Sequence, residues 1–122
     1  MLRELAIKAF QLPLEEKMKY HLQKGVSLFG YKAAGTVKTT DKDARPDTTE
    51  FFNIAKDHMH GVAPSRSYPP ELLAEEPLLK AFTKDAHACG MVVLTTLAKM
   101  LGLEPNAFSD LNIFNHPSGD HC

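Results

Sequence analysis

The stretch from Pro77 to Gly102 limits most strongly what this chain can fold into. Placed on a helix, Leu78, Phe82, Ala86, Cys89, Val93, Leu97 and Met100 form one apolar stripe, while Lys80, Lys84, His87 and Thr95 gather on the opposite side. Pro77 suits a first turn, where its missing N–H has no intrahelical partner. Glu75 and Glu76 complement the positive end of the helix dipole, and Gly102 supplies a stop, so the pattern predicts a helix over about 77–101. Gly90 costs about 1 kcal/mol relative to Ala inside such a helix and reads as room for a neighbouring backbone. A stripe of this length needs a long apolar surface to cover it, and the rest of the sequence can be searched for one.

At 122 residues the chain is at most one domain, one that would bury roughly two thirds of the surface its unfolded form exposes. The net charge is -1 and no run of Lys or Arg gathers on one face, which argues against nucleic acid and anionic membranes as partners. Arg3, Glu4 and Lys8 interrupt the first apolar positions, so the opening is neither a signal peptide nor a membrane span; the expectation is a cytoplasmic protein. Cys89 and Cys122 make neither a disulfide framework nor a four-ligand zinc site and read as free thiols.

Leu2, Leu5, Ala6 and Ala9 fit a first helix that closes at Phe10 and Leu12. A second helix is expected from Pro13, with Leu14, Met18 and either Tyr20 or His21 with Leu22 on its apolar face, ending at Lys24 and Gly25. Val26 to Val37 reads as loop and short extended pieces, and Thr39 to Asp47 as a solvated loop. Thr48 to Ala55 is the best strand, carrying Thr49, Phe51, Phe52 and Ile54. A loop over Gly61 to Pro70 leads to a short helix, Pro70 to Glu76, that bends at Pro77 into the long one. Beyond Gly102, Pro105 opens a helical turn through Phe108, and Leu111 to Phe114 resembles the start of a strand. The fold class is α+β, mainly helical with a few short strands.

Chemistry-bearing patterns are sparse. Gly30 and Gly35 have the glycine spacing of a phosphate loop, but Thr36 and Val37 stand where Lys and Ser/Thr are required. A non-haem iron site usually includes a His-x-Asp/Glu pair, and His21, His58, His60, His87 and His116 each lack an acid two residues on. On a strand His58 and His60 would aim to one side, and His116, Asp120, His121 and Cys122 offer donors for adventitious zinc or nickel; surface histidines are the plainer reading. His87 reads as solvated, Cys89 as an apolar filler on the stripe, and Glu15-Glu16 and Glu75-Glu76 as charges at helix starts rather than catalytic carboxylates. No catalytic, cofactor-binding or metal residue is assigned.

Several pieces nevertheless fall in a known order: Phe10-Gln11-Leu12-Pro13-Leu14-Glu15-Glu16-Lys17, Gly30-Tyr31 with Gly35, Asp47-x-x-Glu50-Phe51, and the long helix ending Leu101-Gly102-Leu103. Together they resemble the N-terminal region of the iron(II)- and 2-oxoglutarate-dependent dioxygenases of the isopenicillin N synthase type, and Ser118-Gly119-Asp120-His121 resembles the lead into that family's jelly-roll. The resemblance implies a helical and short-stranded region packed outside a jelly-roll barrel, with iron(II) and 2-oxoglutarate held by the barrel of a complete member through a His-x-Asp pair, a later His and an Arg-x-Ser element. No residue here matches those, so the expectation is one partial domain over residues 1–122, truncated before the barrel, binding no cofactor and inactive alone. Tyr31, Gly35, Glu50 and Phe51 are expected to be structural. The long stripe would meet the missing barrel, with the helices around Leu5 and Met18 and the strand near Phe51 covering only part of it. The alternative is a small helical interaction module whose stripe binds a partner protein or a second copy.

Overall fold

A computed structural model describes residues 2–22, 28–36, 43–64 and 66–118. The elements run α1 (Leu2–Gln11), α2 (Leu14–Met18), β1 (Gly30–Lys32), β2 (Phe51–Asn53), α3 (Lys56–Met59), α4 (Pro70–Leu73), α5 (Glu76–Met100) and a 3₁₀ turn (Ser109–Leu111). The mainly helical α+β class expected from sequence is the one observed.

One small core joins the N-terminal half to the start of α5. Leu5 and Ala9, one turn apart on α1, face Ile54, Met59, Tyr68, Leu72 and Leu79, with Phe52 packed at the edge. The two strands are antiparallel, pairing Gly30 with Asn53, Tyr31 with Phe52 and Lys32 with Phe51. On its other edge β1 is met by the chain leaving α2: Tyr31 N–H donates to Tyr20 O at 2.8 Å and Leu22 N–H to Tyr31 O at 2.9 Å. That pairing ends α2 at Met18 rather than Lys24, because the backbone of residues 20–22 is committed to β1 and cannot continue the helix. Gly30 permits the approach: its φ is +114°, and a Cβ there would sit 2.5 Å from Tyr20 O.

The strand expected over Thr48 to Ala55 shrinks to Phe51–Asn53. Immediately afterwards α3 places His58 and His60 on a helical turn rather than a strand, which overturns their expected same-side alignment. Pro70 starts α4 as expected, a short break at Ala74 and Glu75 follows, and Pro77 falls in the first turn of α5. The far end of α5 closes with paired bonds from Gly102 N–H to Lys99 O (3.1 Å) and from Leu103 N–H to Ala98 O (2.9 Å), with Gly102 at φ +71°. No strand forms at Leu111 to Phe114. Side chains there bond the local backbone instead, with Asn112 Nδ2 donating to Phe108 O at 2.9 Å and Ser109 Oγ to Asn106 O at 3.3 Å.

The face of α5 that the chain buries is not the stripe drawn from sequence. Leu79, Thr83 and Ala98 are buried and His87 is half-buried, whereas Phe82, Val93, Leu97 and Met100 are exposed. The two faces are turned from one another by roughly 100°, one residue step on a helix. Thr83 and His87 are polar, so hydrophobic periodicity places them outside, yet each finds a partner inside. Thr83 Oγ1 lies 3.1 Å from Leu79 O and 2.8 Å from His60 Nε2, and the His87 ring stands edge-on to Phe114 at 5.1 Å. Cys89, expected as filler, is exposed.

Candidate functional site

Three arrangements compete for a functional role. The first is a ladder of charge across the strands. Lys17, on α2, reaches past β1 to bond Glu50 and the Phe10 carbonyl, the latter at 3.1 Å, so one ammonium both caps the end of α1 and neutralises Glu50. Tyr31 is 1% exposed and donates its hydroxyl to the same Glu50 oxygen at 2.6 Å. Burial first, then that bond and the Glu50 charge, push the Tyr31 phenol up to about 12. The bonds from Lys17 and Tyr31, working against burial, hold Glu50 below the usual carboxylate range. Alongside, Lys32 bonds Asp47 at 2.6 Å and Thr49 O at 2.7 Å, and Gly35 N–H donates to Asp47 Oδ1 at 2.9 Å. The Gly35 amide that a phosphate loop would aim at its ligand is thus occupied by the chain's own carboxylate. Every group in the ladder has a partner, which suits a structural role for Tyr31, Gly35 and Glu50.

The second arrangement is a clamp on the segment after α5. Lys56 is buried, with Nζ 2.5 Å from Phe114 O, 3.3 Å from His116 O and 2.8 Å from Asp57 Oδ1. Asp57 Oδ2 accepts Ser118 N–H at 2.6 Å, while Oδ1 has the ion pair but no hydrogen bond of good geometry. Burial raises the Asp57 carboxyl, and the Lys56 and Ser118 bonds outweigh it, leaving the group below its ordinary value. His60 and His87 both stand edge-on to Phe114, with ring centroids 4.8 and 5.1 Å away.

The third is concave. A cleft of about 370 Å³ is lined by Lys19, Tyr20, His21, Phe29, Gly30, Arg66, Ser67 and Tyr68. A smaller apolar groove, about 170 Å³, runs between α1 and the start of α5 and ends at Phe82. From α5 it takes buried Leu79 and exposed Phe82, the latter a member of the stripe.

Among the described residues the imidazoles do not assemble a metal site. His58 Nδ1 lies 3.0 Å from the Tyr68 hydroxyl and His60 Nε2 is taken by Thr83, so the two rings serve different partners. Among the described residues no group of three or more His, Cys, Asp or Glu side chains is placed to hold a metal ion, and the donor set iron(II) requires is not met by them. His116 is exposed, and Asp120, His121 and Cys122 lie outside the described residues. No described helix is long and apolar enough to cross a membrane.

The family described as the N-terminal region of non-haem dioxygenase in morphine synthesis matches residues 1–76, more than half of the 122-residue chain. The chain belongs to this family. It is the N-terminal region of 2-oxoglutarate- and iron(II)-dependent dioxygenases, so the resemblance carried by the Phe10 to Lys17, Gly30 to Gly35 and Asp47 to Phe51 segments lies within the match. Compared with curated proteins and with solved structures, the chain matches none. The matched residues contain the whole ladder and α1 to α4, and α5 begins at their boundary.

Sequence reasoning missed the buried lysines. Lys17, Lys32 and Lys56 look like surface residues because their acceptors, Glu50, Asp47 and the Phe114 carbonyl, are remote in sequence. It also passed over Arg66 and Tyr68 in a proline-rich loop, where no periodicity marks them.

Proposed function

We propose that this chain acts as a non-catalytic N-terminal region of an iron(II)- and 2-oxoglutarate-dependent dioxygenase for a small molecule in the cytoplasm. It is one partial domain whose exposed α5 stripe packs against the catalytic barrel. The family match supports the dioxygenase part of this reading. The observation that carries the docking part is the side chains left bare: Val93 is 60% and Met100 79% exposed, with Phe82 and Leu97 beside them on the same face. Covering such a face with a sheet is how helices flanking a barrel bury their apolar side.

In this reading the ladder keeps α1, α2 and the two strands rigid, and α5 presents its apolar side to the barrel. In the complete enzyme iron(II) and 2-oxoglutarate, held by barrel residues, would activate dioxygen, which is the oxidant. The test is an assay of the purified 122-residue chain with iron(II) and 2-oxoglutarate. Neither retained iron after gel filtration nor succinate is expected, and stoichiometric iron together with succinate formation overturns the proposal. The same bare stripe also fits self-association as a small interaction module. Light scattering on the isolated chain separates the two readings: a defined dimer abolished by Val93→Glu favours the module, and ill-defined, concentration-dependent oligomers favour a face made for a barrel.

A further inference from the structure

We propose that Phe114 to Ser118 form an acid-released strap: at neutral pH they lie clamped over α3 and one side of α5, and protonation of His60 frees them while the core stays folded. The anchors on α3 are Lys56, whose ammonium bonds the Phe114 and His116 carbonyls, and Asp57, whose Oδ2 accepts Ser118 N–H. The Phe114 ring is half-buried, with the imidazoles of His60 and His87 edge-on to it and Lys56 Nζ 5.0 Å from its centroid. Residues 115–118 are exposed, and among the described residues the core draws none from beyond α5. Releasing the strap therefore bares little apolar surface and takes less free energy than global unfolding.

His60 is placed to sense a proton beneath the strap. The Thr83 hydroxyl donates to the Leu79 or Lys80 carbonyl, each 3.1 Å away, so its oxygen accepts from His60 Nε2 at 2.8 Å. The neutral ring thus carries its hydrogen on Nε2, and an added proton goes to Nδ1. The new charge meets Lys56 from α3 and Lys80 and Lys84 from α5; Glu76 of α5 favours it but is already paired with Lys80 at 2.5 Å, as Asp57 is with Lys56. His58 of α3, His87 of α5 and the exposed His116 of the strap are the other titratable side chains around the clamp. Burial first, then Lys84, Lys80 and Lys56, hold His60 below its ordinary 6.5 in the closed form. The Phe114 ring attracts cations, but it already has Lys56 over it, and a second cation on the same ring is repelled by the first. Opening lets water reach His60, which removes the largest of these oppositions, and lets Lys56 swing away. The open form therefore takes up the proton more readily, and opening grows by up to about tenfold per pH unit below 6.5 until the closed form is protonated too. Lys56, Asp57, His60 and Phe114 are not members of the α5 stripe, so the strap stands or falls separately from barrel docking.

The experiment is native-state amide exchange of the full 122-residue chain, read by NMR from neutral to mildly acidic pH and corrected for the intrinsic exchange rate. At every pH Ser118 N–H, whose acceptor is Asp57, should be at least about tenfold less protected than Tyr31 N–H, which donates to Tyr20 O at 2.8 Å, because the strap opens without the fold. Ser118 protection should fall by up to about tenfold per pH unit below 6.5. His60→Gln, whose amide can still bond Thr83, should hold Ser118 protection constant with pH. Lys84→Gln, at an exposed position, removes one opposing charge and should weaken the response; it decides the matter if His60→Gln does not fold. The proposal is overturned by equal protection of Ser118 and Tyr31, by Ser118 protection that does not fall on acidification, or by an undiminished response in His60→Gln or, where that variant does not fold, in Lys84→Gln.

Discussion

The two ends of this molecule handle polarity in opposite ways. Around β1, β2 and α3, three lysines are buried and each has a partner: Lys17 with Glu50, Lys32 with Asp47, Lys56 with Asp57 and two carbonyls. Along the second half of α5, apolar side chains face water, Val92, Val93, Leu97 and Met100 among them. A buried ion pair costs desolvation and is retained where it fixes one arrangement of strands and helices, whereas an exposed apolar row has no stabilising effect until something covers it. Under the proposed function the first region is scaffold and the second contact surface.

The largest effect is expected at the clamp. Lys56→Met leaves Asp57 buried without its cation and frees the carbonyls of Phe114 and His116, a class of change that costs about 3–5 kcal/mol. Urea denaturation should show the loss, and amide exchange should show Ser118 losing protection, since its N–H depends on the same carboxylate. A loss below about 0.5 kcal/mol, the range of ordinary surface substitutions, would remove the clamp from the scaffold.

Next comes the ladder. Glu50→Gln keeps an acceptor for Tyr31 but removes the charge that pairs with Lys17; with Glu50 a third exposed, about 1–2 kcal/mol is expected rather than the full cost of a buried pair. The same substitution should bring the Tyr31 phenol down from about 12 in an alkaline absorbance titration, because the Glu50 bond and charge help burial hold it there. Since Glu50 titrates below its ordinary value in the folded chain, its contribution is present above the unfolded value of 4.5 and is lost as pH falls through the folded one.

Legibility from sequence follows the same divide. The limits of α5, the turn at Gly102, the first helix on Leu5 and Ala9, and a strand containing Phe51 were readable because each rests on local periodicity or a single local stop. Which side of α5 the chain buries was not. Thr83 and His87 face inward only because His60 and Phe114 meet them there, and those residues come from elsewhere in the chain. For the same reason α2 ran too long on paper: nothing near Lys19 announces that Tyr20 and Leu22 will pair with Tyr31. The family segments were legible as an ordered set of short pieces, but the cleft was not, since Arg66 and Tyr68 reach Lys19 and Phe29 only through the fold.

A smaller effect is expected on acidification. His58 and His60 are both below their ordinary 6.5: for His58 through burial and Arg66, against Asp57; for His60 through burial and Lys84, Lys80 and Lys56, against Glu76. Folding therefore favours the neutral rings. Their contribution is full above 6.5 and declines as pH falls from there through the lower folded-state values. Thermal melts should lose stability over that window, and His60→Gln, whose amide can still bond Thr83, should flatten the decline.

The smallest effect on the fold is expected on the bare face, and it is the one that gives the division its meaning. Val93→Gln and Leu97→Gln replace side chains that are 60% and 42% exposed, far from the core of Leu5, Ile54, Tyr68 and Leu79. Monomer stability should change by no more than about 0.5 kcal/mol, as for surface positions with no special contact. Self-association should fall sharply in the same samples, because the removed atoms are those that exclude water when the face is covered. A stability loss of about 2 kcal/mol or more would instead be the signature of buried side chains. It would mean that α5 turns its sequence-derived stripe inward in solution, and that the face bearing Thr83 and His87 is the one available to a partner.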